Sequence, residues 1–108
     1  MGEEGRIRAG ARPDLYVVAR FLAKLHPGHG PEVRLSRSKL QMAVAVNYDV
    51  FRKYLQLLLE RGLIEEVRGE QDETQLRLTE AGLRAHDDLV AWLESMFGRR
   101  PFGADAGR

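Results

Sequence analysis

The chain has no cysteine. That absence removes disulfide frameworks, thiolate zinc sites and a cysteine nucleophile together, and it fits a reducing cytosol, the location expected for this protein. An excess of charge of one sign is missing too: 17 Lys and Arg against 16 Asp and Glu leave a formal charge of +1. Such a balance excludes a polyanion binder that works on bulk charge, so any grip on phosphate has to come from where arginines cluster. Long apolar runs are also lacking. No window approaches the roughly 18 consecutive apolar residues of a membrane span, and residues 1–12 hold no apolar stretch of signal-peptide length, so no membrane partner is expected. What remains is 108 residues, 44% apolar and 31% charged, the composition of one ordinary globular domain with a modest core.

The ends differ from the middle. Residues 1–12 combine Gly2, Gly5 and Gly10 with Arg6, Arg8 and Arg12, a composition that buries too little to order itself and is expected to be a flexible basic arm. Residues 98–108, with Pro101, are expected to be a flexible tail. The domain itself is assigned to residues 13–97.

Within it, Pro13 and Asp14 open a helical pattern in which Leu15, Val18, Phe21, Leu22 and Leu25 recur at three- and four-residue steps. The run from His26 to Pro31 ends it. Val33 and Leu35 alternate with charged neighbours, so residues 32–35 are expected to form a short strand paired with a later hairpin. Ser36 suits the N-cap of a helix over 37–44, and Asn47 that of a second helix ended by Gly62. A tight Ala45-Val46-Asn47 turn separates the two. On a wheel of about 100° per residue, Val50, Phe51, Tyr54, Leu55, Leu57 and Leu58 fill one arc, and Tyr48, Asp49, Arg52, Lys53, Gln56 and Glu60 the other. The first arc is expected to be core and the second to face outward.

Residues 63–68 and 74–78 alternate as strands around the turn-forming residues 69–73, and Thr79 caps a last helix over 80–97. The order helix, turn, helix, hairpin is the layout that sets one helix against a DNA groove. The fold class expected is therefore mostly α with a small β-hairpin wing, a winged helix-turn-helix with an additional C-terminal helix. That last helix is apolar over about half its circumference, wider than a core-facing stripe requires. A second apolar surface is expected on it.

The segment from Asn47 to Ile64, followed by Leu78-Thr79-Glu80-Ala81-Gly82, resembles the archaeal-type winged helix-turn-helix regulators. In that family Asn-Tyr, Tyr-Leu, Gly-Leu-Ile and Leu-Thr-x-x-Gly mark the recognition helix, the base of the wing and the start of the C-terminal helix. The resemblance covers residues 15–97 and implies a DNA-binding regulator, some members of which dimerise through the C-terminal helix. Here that helix is shorter, which favours a compact dimer over a long two-helix rod. Glu70, Asp72 and Glu73 also depart from the family, because they put negative charge where a DNA-bound wing usually offers Lys or Arg.

The candidate DNA-binding residues are Tyr48, Arg52, Lys53 and Gln56 on the second helix, Ser36, Arg37 and Lys39 at the start of the first, and Arg68 and Arg77 at the base of the wing. Arg reads guanine and Gln adenine through paired hydrogen bonds, while a capped helix N-terminus with basic side chains holds phosphate. The bland alternative is a solvated helix face. Leu89, Trp92, Leu93, Met96 and Phe97 are the candidates for pairing with a second copy; core packing is the alternative. His26, His29 and His86 lack metal-ligand spacing; His26 and His29 are read as loop residues and His86 as part of the apolar arc of the last helix, with Asp87 and Asp88 in solvent. No cofactor, metal or catalytic constellation is expected, and no effector is assigned. The expectation is a double-stranded DNA-binding homodimer that regulates transcription. The alternative is a winged-helix module that binds a protein of the transcription or replication machinery, favoured by the acidic wing.

Overall fold

A computed structural model describes residues 13–97; the expected basic arm and C-terminal tail lie outside the described residues. The elements run α1 (Leu15–Leu25), α2 (Arg37–Val44), α3 (Tyr48–Glu60), β1 (Ile64–Arg68), β2 (Thr74–Leu78) and α4 (Glu80–Phe97). This is the winged helix-turn-helix order expected from the sequence. Each helix start has a local cause. The side chains of Asp14, Ser36 and Asn47 accept from the backbone N–H groups of Tyr16, Lys39 and Val50, and Thr79 Oγ1 accepts from Gly82 N–H, satisfying donors that a helix leaves unpaired.

α3 ends in a paired-hydrogen-bond cap. Leu63 N–H donates to Leu58 C=O at 2.9 Å and Gly62 N–H to Leu59 C=O at 3.1 Å, with Gly62 at φ +74°. Only glycine adopts that left-handed backbone without cost. Ala45 does adopt it, at φ 59°. This bend between α2 and α3 supplies the expected turn, and Asn47 begins the next helix two residues later.

The core lies where α1, α2, α3 and the hairpin meet: Val17, Phe21, Leu22, Leu25, Leu40, Val44, Phe51, Leu55, Leu58, Ile64, Leu76 and Leu78. Phe21 stacks on Phe51 with centroids 5.6 Å apart and on Tyr54 at 6.4 Å. The Tyr54 hydroxyl then accepts from Asp14 N–H at 2.8 Å, tying α3 to the start of α1. Two periodicities shift from the expectation. In α1 Val17 is buried while Leu15 is half exposed, because the stripe follows the four-residue steps 17, 21, 25. In α3 Leu59 packs against the core and Leu57 does not.

The hairpin pairs Ile64 with Leu78 through to Arg68 with Thr74, antiparallel. The expected strand over 32–35 shrinks to one bridge, Leu35 with Leu76. Its two backbone hydrogen bonds, 3.0 and 2.7 Å, are the only ladder contacts there among the described residues. Leu78-Thr79-Glu80-Ala81-Gly82 works as a junction. Leu78 is core, the Thr79 hydroxyl donates to Gly62 C=O, and a Cβ at Gly82 would meet the Leu63 carbonyl oxygen. α4 can pass over the end of α3 only because position 82 has no side chain.

Candidate nucleic-acid interface

α3 is propped by Phe51, Leu55 and Leu58, each at most 2% exposed. Helical spacing then turns Tyr48, Asp49, Arg52 and Gln56 outward, where all are exposed, with Lys53 half-buried beside them. Among the described residues, no carboxylate lies within salt-bridge distance of Lys39, Arg52 or Lys53. Those cations are unspent. Gln56 is different, since its amide donates to the Glu60 carboxylate one turn on, at 3.0 Å.

At the start of α2, Ser36 Oγ accepts from Lys39 N–H at 3.2 Å, so this hydroxyl acts as a cap. Arg37 reaches Glu66 on β1 at 3.4 Å, and Lys39 is exposed. Arg20 was not singled out in the sequence. Its guanidinium donates to Val44 C=O at 2.7 Å, covering the C-terminal end of α2 just before the turn; a contact across 24 residues leaves no local sequence signal. Met42 on α2 is 78% exposed, an apolar side chain beside the same turn.

The two wing arginines part company. Register puts Arg68 with Ile64 and Glu66 on one face of the hairpin and Arg77 with Glu65 on the other. Arg68, expected at the base of the wing, lies instead near the tip, because it pairs with Thr74 in the last rung before the turn; its Nη1 donates to Asp72 C=O at 2.9 Å and stands 3.5 Å from that residue's carboxylate. Arg77 is clasped by Glu65 at 2.7 Å and Glu32 at 2.9 Å. Hydrogen bonds from Arg77 and then Arg34 hold the Glu32 carboxyl below the usual range, and the same acids raise Arg77. Three carboxylates, Glu70, Asp72 and Glu73, crowd the exposed tip.

Away from this face, α1 and α4 enclose a groove of about 490 Å³ lined by Tyr16, Ala19, Arg20, Ala23, His86, Leu89, Val90 and Leu93. Leu89 and Leu93 are half-buried there, whereas Trp92, Met96 and Phe97 are 47%, 58% and 65% exposed. The histidines depart from the sequence reading. His26 and His86, separated along the chain, bring their rings to 4.0 Å, and Asp87 bonds to both. No helix of the described residues is long and apolar enough to cross a membrane.

Residues 31–96 match the winged helix-turn-helix family, and the chain belongs to that family. Its structure is similar to a MarR-family transcriptional regulator from Silicibacter pomeroyi, at 25% identity and TM-score 0.56 over 80% of this chain and 60% of that one. The PcaV transcriptional regulator from Streptomyces coelicolor, solved with its natural ligand, aligns at 26% identity and TM-score 0.58 over 83% and 60%. F93 from STIV, a winged-helix DNA-binding protein, shares the fold at 18% identity and TM-score 0.57 over 78% and 90%. The chain thus spans about 60% of the length of those MarR-family and PcaV regulators. No curated protein matches.

Proposed function

We propose that this protein is a double-stranded DNA-binding transcriptional regulator that acts as a homodimer, of the archaeal-type branch that its Asn47–Ile64 and Leu78–Gly82 segments resemble. One observation carries the reading: among the described residues the outward face of α3 is bare and its cations Arg52 and Lys53 have no acidic partner, while the opposite face is locked into the core. A helix anchored on one side and cationic on the other is what a major groove accepts. Arg52, Lys53 and Gln56 meet base edges or phosphates, and Tyr48, Ser36, Arg37 and Lys39 steady the backbone. Arg68 reaches phosphate from the wing in this reading, exchanging its contact with the Asp72 carboxylate. Arg77, spent on two carboxylates, joins Glu32 to the hairpin and supports the interface from behind.

The acidic wing tip favours a second reading, an interaction module for a basic protein surface, in which the bare helix face would be incidental. Selection from pooled genomic fragments supplies a target duplex, and replacement of Arg52 or Gln56 by alanine tests the roles. Each variant is expected to lose about 1–3 kcal/mol of specific binding per base contact removed. Unchanged affinity on the selected duplex would take those roles away.

A further inference from the structure

We propose that His26, His86 and Asp87 form a zinc-class metal site that pins the C-terminal end of α1 to α4. One donor atom from each residue lies within 4.8 Å of the other two. His26 Nε2 stands 3.4 Å from Asp87 Oδ1, and His86 Nδ1 stands 3.2 Å from that same oxygen. An ion about 2.1 Å from each donor in a tetrahedral shell requires donor separations of roughly 3.4 Å, so two edges of such a shell are already in place. Two imidazoles with one carboxylate select zinc, cobalt or nickel over magnesium or calcium, which prefer oxygen alone.

The surroundings suit a cation. His26 is the C-cap of α1, where the helix dipole favours positive charge. Both imidazoles are only about one-fifth exposed, while Asp87 is 69% exposed, so protein holds one side and the other opens to water for a fourth ligand. Gly28 N–H donates to His26 Nδ1 at 3.0 Å, which puts the imidazole proton on Nε2, facing Asp87. Metal binding moves that proton to Nδ1, and the exposed Gly28 N–H turns to solvent. His86 Nδ1–H donates to Asp87 at 3.2 Å, so ligation through Nδ1 likewise moves its proton, to Nε2.

The test uses the untagged, chelator-treated full chain titrated with Zn(II) and Co(II), read by calorimetry, visible absorption of Co(II) and thermal unfolding. Saturable one-to-one binding, tetrahedral Co(II) bands and a melting point raised by about 10 °C at a hundredfold excess over Kd are expected. Asp87→Asn and His86→Gln should weaken binding at least about tenfold, and His29→Gln, outside the cluster, should bind like the wild type. Metal-free melting shows which variants are folded, and His26→Gln replaces either one that is not. Absence of saturable binding, or equal affinity in the folded cluster variants, overturns the site.

Discussion

Arg52 and Glu60 frame the chemistry of α3 from opposite ends. Arg52 extends from the first half of the helix with no acidic partner in reach among the described residues, while Glu60 holds the Gln56 amide at 3.0 Å. Under the proposed role that bond has to break before Gln56 can meet an adenine, and Glu60 brings a negative charge toward the phosphates. Glu60→Ala is therefore expected to tighten binding to the selected duplex by roughly 1 kcal/mol, the net worth of a hydrogen bond that no longer opposes recognition. Fluorescence anisotropy on that duplex checks it, and a weaker variant would mean that Glu60 orders Gln56 for readout. Gly82 has a purely steric task. A methyl group there meets the Leu63 carbonyl oxygen, which already accepts from Thr79 N–H at 3.0 Å. Gly82→Ala should cost about 1–3 kcal/mol in urea unfolding, because neither backbone can yield without moving α4 off the domain.

The elements divide into those set by local rules and those set by distant contacts. Ser36, Asn47 and Thr79 cap the helices they precede, and Gly62 closes α3, because a cap is satisfied within a few residues and leaves its mark in the sequence. The inner arc of α3 was legible for the same reason, apart from the exchange of Leu57 for Leu59. Alternation misled at residues 32–35. Val33 packs on the core and Leu35 bridges to Leu76, but Glu32 and Arg34 are drawn into the Arg77 cluster and no second bridge forms among the described residues. The Arg20 cap on α2 and the meeting of His26 with His86 depend on how α1 lies against its neighbours, and spacing along the chain does not encode that. Opposite faces for Arg68 and Arg77 follow from register, which the sequence left open.

The molecule as a whole presents two surfaces of different chemistry: a polar, cation-bearing face on α2 and α3, and an apolar face along α1 and α4. The groove between α1 and α4, lined in part by exposed Tyr16, and the exposed Trp92, Met96 and Phe97 of α4 continue the wide apolar arc read from the sequence. Pairing of this face with its own copy would give two recognition helices for paired half-sites. Light scattering is expected to give the mass of two chains for the wild type and of one for Trp92→Glu with Met96→Glu; a monomeric wild type would remove the dimer. The role of the polar face has a more direct measure in its response to salt. In a gel-shift titration against pooled genomic duplexes, neutralising about six phosphates should cost about a thousandfold in affinity between about 50 and about 200 mM salt. Affinity that stays flat across that range, or no duplex retained at either salt, would contradict a DNA-binding role for α3.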